Sequence, residues 1–116
     1  GPPKYQGMTA CRIGLRAPDG NACGIGYTRA DPSNLNKAPS GFETTDTYNG
    51  GAAFESENGG RIDVNYYYSG NDDTEPVYNE YENDVSAYFT EDKIDYNIYG
   101  TDTGREPVEE VVISIK

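Results

Sequence analysis

The chain has 116 residues, enough for one domain and too few for two ordinary ones. Only 18 of them are Leu, Ile, Val or Phe and the net charge is −11, values that ordinarily mark disorder; eleven tyrosines argue for a folded domain with a thin, tyrosine-built core instead. That charge repels phosphate, which disfavours a nucleic-acid groove and leaves only mimicry of nucleic acid by the acidic half of the chain.

Gly1-Pro2 reads as the scar of a cleaved tag, and residues 1–7 as a flexible, Pro-rich lead-in to a single domain over 8–116. Residues 8–15 are expected as a strand with Cys11, Ile13 and Leu15 on one face. Ala17-Pro18-Asp19-Gly20 is a turn, and Cys23, Ile25 and Tyr27 form a matching row. Two cysteines in a small, Gly- and Asn-rich, β-patterned chain read as a Cys11–Cys23 disulfide and an oxidising compartment. Such a tie contributes about 3 kcal/mol. The alternative is a pair of reduced thiols in a cytosolic protein. A tight hairpin would hold the cysteines about 13 Å apart, while a disulfide needs Cα atoms within about 7 Å. The disulfide reading therefore requires a wider loop. With no histidine and two thiols, no zinc set is available, and no run is long enough to cross a membrane.

Residues 30–42 read as loop, with Asp31 or Ser33 able to start one helical turn. Residues 42–48 alternate, and Asn49-Gly50-Gly51 turns them into a second strand over 52–56. The strongest signal follows. Ile62, Val64, Tyr66 and Tyr68 alternate with Arg61, Asp63, Asn65 and Tyr67, one apolar-aromatic row against one polar row. A three-residue loop centred on Gly59 would set Phe54 opposite Val64, with a glycine free to take positive φ at the bulge. Gly70-Asn71-Asp72-Asp73-Thr74 is an exposed acidic loop, and 77–81 a short edge strand. Residues 84–92 fit a strand through Val85, Ala87 and Phe89, or a helix through Val85, Tyr88 and Phe89; strand is the preferred reading. Ile94, Tyr96 and Ile98 alternate, 101–107 is loop, and 108–115 is expected as a final internal strand through Val111, Ile113 and Ile115. About eight short strands predict a mainly β domain, an antiparallel sandwich or small barrel. The alternative is α+β, with one helix over 84–92 packed on an antiparallel sheet.

Charge is uneven. Residues 1–58 carry a net −1 and residues 59–116 a net −10, the acids interleaved with tyrosines between 63 and 95. An acidic, tyrosine-studded face suits a protein partner, because tyrosine gives rigid contact area and carboxylates steer a basic surface. Tyr67, Asp72, Asp73, Tyr78 and Tyr81 are the candidate partner-binding residues; Tyr67 stands on the polar row of its strand, whereas most other tyrosines are expected in the core. No catalytic motif is present. Acid pairs such as Asp72/Asp73, Glu91/Asp92 and Asp92/Asp95 are too numerous to single out a glycosidase dyad. Serine or cysteine nucleophiles lack a histidine base. Gly24-X-Gly26 lacks the rest of a phosphate-binding pattern, so neither enzyme nor cofactor is expected. Asp72, Asp73 and Glu75 are candidate calcium ligands, in a loop without helix-loop-helix spacing.

The segment Cys11-Arg12-Ile13 through Gly20-Asn21-Ala22-Cys23, the following Gly26-Tyr27-Thr28-Arg29-Ala30-Asp31-Pro32, and the tyrosine-rich acidic β region resemble the small secreted effectors of plant-pathogenic fungi, particularly the xylem-secreted class. The resemblance implies a secreted, extracellular, non-enzymatic virulence protein, with later entry into host cells. Its partner would be a host protein or a second effector; the net charge speaks against nucleic acid, and no membrane partner is expected. The alternative function is a calcium- or carbohydrate-binding β module built on residues 70–75 and exposed tyrosines.

Overall fold

The computed structural model describes residues 38–48 and 51–116. The expectations placed on 1–37 lie outside the described residues: the lead-in, the first strands and the Cys11–Cys23 tie. The Asn49-Gly50 turn lies outside them too.

Six strands and one helix follow in order: β1 (Phe42–Tyr48), β2 (Gly51–Ser56), β3 (Arg61–Tyr68), β4 (Val77–Tyr81), β5 (Asp84–Glu91), β6 (Ile94–Thr101) and α1 (Arg105–Ile115). The strands form one open antiparallel sheet in the order β1-β2-β3-β6-β5-β4. The protein is thus mainly β. The described strands do not close into a barrel, and no second sheet packs on them among the described residues.

The β2–β3 loop shows how local chemistry sets register. Gly59 N–H donates to Ser56 O at 3.1 Å and Ser56 N–H to Gly60 O at 2.9 Å. This is a three-residue loop over 57–59, with Gly59 at φ 91° in the left-handed position of a type I turn plus bulge. The loop centres on Asn58 and not on Gly59, so Phe54 faces Ile62 and Ala52 faces Val64. The register therefore differs from the expected one by two residues. A two-residue shift keeps parity, so every side chain stays on the predicted face. At the β5–β6 hairpin, Asp92 (φ 53°) and Lys93 (φ 71°) are both left-handed, as a two-residue type I′ turn demands.

The inner face carries Phe54, Ile62, Val64, Tyr66, Val85, Ala87, Phe89, Ile94, Tyr96 and Ile98, all buried. The core is aromatic at its centre: Tyr96 stacks on Phe89 at 5.1 Å between centroids and tilts against Tyr66 at 5.8 Å. Residues 84–91 are strand, as preferred, so the helix of the α+β alternative does not lie there.

The helix lies instead where a final strand was expected. Val108, Val111, Val112 and Ile115 recur at i, i+3, i+4 and i+7, and this stripe packs on β5 and β6 with the three valines buried. The period-two reading required Ile113 to be internal, yet it is 75% exposed. Tertiary packing overrides the strand preference of β-branched residues here. Pro107 sits in the first turn, where its missing N–H has no intrahelical acceptor to lose. Arg105 pairs with Glu109 one turn on. Gly100 makes room for the helix, because a Cβ on it would lie 2.6 Å from Val108 Cγ2 and 2.5 Å from Thr103 Oγ1.

Candidate interaction surface

Strand parity that buries the inner rows lifts a second set of side chains onto the opposite, outer face. Cross-strand pairing sets these into rows. Asp63, Tyr99, Ser86 and Asn79 align across β3, β6, β5 and β4; Asn65, Asn97, Tyr88 and Val77 form the next row; Tyr67, Asp95 and Thr90 form a third. Tyr67, Tyr88 and Tyr99 are 55%, 43% and 54% exposed, and Tyr81 at the β4 edge is 77% exposed. The result is a face of exposed aromatic rings interspersed with amides, Ser86 and Asp63.

One carboxylate organises the end of this face. Asp95 is 3% exposed although it stands on the outer row. Its Oδ1 accepts from Thr90 Oγ1 at 2.6 Å and from Ser69 Oγ at 2.7 Å. Its Oδ2 is approached by Asn71 Nδ2 and Tyr88 Oη, each at 3.5 Å, and Tyr67 donates its hydroxyl to the same carboxylate. Burial alone would raise the pKa of Asp95. Donors from Thr90, Ser69, Tyr67 and Asn71 outweigh it and hold the carboxyl below its ordinary value. Conversely, the hydrogen bond to Asp95, the negative charge of Asp95 and the neighbouring Tyr88 raise the pKa of Tyr67. Tyr67 is therefore a neutral ring with its hydroxyl anchored and its faces in solvent. That bond restrains the ring, which lowers the entropy cost of binding.

The other candidate residues separate. Tyr81 joins Tyr67 on the outer face. Tyr78 pairs with Ala87 on the inner face, half-buried, with the Arg105 guanidinium 4.1 Å above its ring. Asp72 pairs with Lys93 Nζ at 2.9 Å, a contact that lowers the pKa of Asp72 and raises that of Lys93. Asp73 Oδ1 accepts the N–H of Asp92 at 2.8 Å. Thr74 exchanges bonds with Thr90, donating its N–H to Thr90 O at 3.0 Å and accepting the Thr90 N–H on Oγ1 at 2.8 Å. The 70–75 loop thus strings its oxygens along the β5–β6 hairpin. Among the described residues, no group of three His, Cys, Asp or Glu side chains is arranged to hold a metal ion. Glu75 is exposed.

Sequence reasoning missed Asp95, Tyr88 and Tyr99 as members of one surface. Each sat on the correct parity for an outer row and they meet across the β5–β6 hairpin, but their proximity to Tyr67 depends on β3 pairing with β6, which no local pattern announces.

No family model, curated protein or solved structure matches the chain. Among the described residues, no helix is long and apolar enough to cross a membrane.

Proposed function

We propose that this is a non-enzymatic interaction protein that engages a protein partner through the outer face of its sheet. On its resemblance to small fungal effectors, it is a secreted virulence protein whose partner is a host protein or a second effector. The observation that carries the reading is the shared exposure of Tyr67, Tyr88, Tyr99 and Tyr81 on one face. Rigid rings with polar tips are the side chains that protein interfaces favour, and the acidic surroundings favour a basic partner. Asp72 and Asp73 contribute by ordering the loop at the rim of the face.

The test is a pull-down or titration with candidate host proteins, comparing the wild type with Tyr67→Ala, Tyr99→Ser and the charge reversal of Asp72 and Asp73. Affinity should fall at least tenfold for the tyrosine variants; unchanged affinity for every partner removes this face from consideration. A second reading, a carbohydrate-binding module, draws support from the amides of Asn65, Asn97 and Asn79 beside the exposed rings. Heat on titration with a glycan panel, lost in Tyr88→Ala, would favour it over the protein-binding reading.

A further inference from the structure

The sheet ends at β4, and among the described residues no strand lies beyond it. The two-residue turn at Glu82-Asn83 makes Tyr81 and Asp84 a facing pair. In an antiparallel hairpin of this kind, the backbone groups of Tyr81, Asn79 and Val77 turn towards β5, and those of Tyr78 and Glu80 turn outwards. Natural edges are blunted by lysines, prolines or bulges. This one has regular pairing with β5 over all five of its residues, no lysine or proline within the strand, and Val77 and Tyr81 58% and 77% exposed. Beside it on the outer face is a shallow cleft of about 210 Å³ lined by the side chains of Tyr81, Tyr99, Ser86 and Asp84, while Glu80 turns its carboxylate to Arg105 on the helix side of the same strand.

We propose that the β4 edge accepts an added strand from an extended, basic segment of a partner protein, with one lysine or arginine side chain seated in the cleft between Tyr81 and Tyr99. Charge selects the occupant. Glu75, Glu80, Glu82 and Asp84 lie along or beside the edge, and Arg105, the cation that reaches Glu80, is shared with Glu109. A second copy of this chain would set these acids against their own duplicates, each chain carrying a net −11. A basic strand instead gains carboxylate contacts and cation–π contacts with the two rings, while backbone bonds to Tyr78 and Glu80 supply affinity that does not depend on sequence. The inference rests on the reading of the protein as a protein-binding module but places the partner at a different part of the sheet from Tyr67.

The full chain is titrated with an acetylated octapeptide of alternating lysine and threonine, and with its counterpart carrying glutamate for lysine. Amide exchange is followed at Tyr78 and Glu80. The lysine peptide should bind and slow exchange of both amides at least tenfold; the glutamate peptide should not bind. Glu80→Pro, which removes an outward N–H at an edge position that tolerates proline, should weaken binding at least tenfold. Glu80→Gln, which removes the charge and with it the ion pair to Arg105, should weaken it two- to threefold, and Ile113→Ser, at an exposed position on α1, should bind as the wild type does. Binding without amide protection, or equal binding by Glu80→Pro, would show charge adsorption only and overturn strand addition. Protection of the same amides in the peptide-free chain, with a dimer in sedimentation, would assign the edge to a second copy. Loss of binding in Tyr67→Ala with Glu80→Pro unaffected would overturn the edge while sparing the outer-face function.

Discussion

Thr90 Oγ1 lies 2.6 Å from Asp95 Oδ1, and the two residues face each other across the β5–β6 hairpin only one pair before its turn. This contact lets a carboxylate remain ionised while 3% exposed. The sign of its pH dependence follows. The folded-state pKa of Asp95 is lowered, so its contribution is fully present above the unfolded-state value of about 3.9 and is lost as pH falls through the lower folded value. Acid titration of the wild type, followed by circular dichroism, should show stability declining below about pH 4. In Asp95→Asn that component of the decline should vanish, with a lower melting temperature already at pH 7. An undiminished acid slope in Asp95→Asn would assign the slope to other carboxylates.

Thr90→Val keeps the shape of Thr90 and deletes its hydroxyl. It removes one donor to a buried carboxylate, at a cost of about 1–3 kcal/mol. Because Ser69 shares the same acceptor oxygen at 2.7 Å, Thr90→Val and Ser69→Ala should be non-additive in denaturant unfolding. Strict additivity would mean that the two hydroxyls do not share Asp95.

Tyr66 gives the opposite limb of the pH profile. Burial pushes its hydroxyl pKa up to about 12. A raised folded pKa means that stability is fully present below the unfolded-state value of about 10 and is lost as pH rises through about 12. Two pH units correspond to about 3 kcal/mol. Tyr66→Phe should flatten the decline between pH 10 and 12, as read by equilibrium unfolding at each pH. Absorbance near 295 nm should show one fewer late-titrating phenol.

Gly100 and Val108 approach so closely that helix and sheet behave as one packed layer pair. Gly100→Ala should cost about 1–3 kcal/mol through overpacking, by displacing α1 from β6. Gly59→Ala acts differently: nothing crowds its Cβ, and the cost arises from φ 91°, which an L side chain rarely adopts. Val108→Ala removes the Val108 Cγ2 clash and leaves that with Thr103 Oγ1, so it should relieve part of the Gly100→Ala penalty and none of the Gly59→Ala penalty. Equal relief of both would disprove the steric account.

What the sequence disclosed was governed by periodicity. Ile62, Val64 and Tyr66 alternate against Asp63, Asn65 and Tyr67 because one face of β3 is buried and the other is wet. Face assignments therefore survived even where the hairpin register was two residues off. Non-local pairing was illegible. Tyr67 meets Asp95 because β3 joins β6 across two intervening strands, and a linear pattern of alternation does not say which strand lies next to which. Asp72 and Asp73 read as a free acidic surface because their partners, Lys93 and the Asp92 N–H, lie about twenty residues on. The C-terminal segment failed for a different reason. Val111, Ile113 and Ile115 fit period two as well as Val108, Val111, Val112 and Ile115 fit period 3.6, and residue preference favoured the wrong one.

The two periods make opposite demands on Ile113. If residues 108–115 formed a strand inside a sheet, Ile113 would be buried between neighbours and a charge there would be severely destabilising. On α1 it faces solvent, so Ile113→Lys should change stability by no more than about 0.5 kcal/mol. Val111 is 1% exposed against β5 and β6, and Val111→Lys should unfold the helix from the sheet or the whole domain. Val112 decides between the periods, because a strand would place it opposite Val111 and a helix places it beside Val108. Val112→Ala, at 2% exposure, should cost about 1–3 kcal/mol. A large loss in Ile113→Lys with a neutral Val112→Ala would restore the strand and displace the helix from this fold.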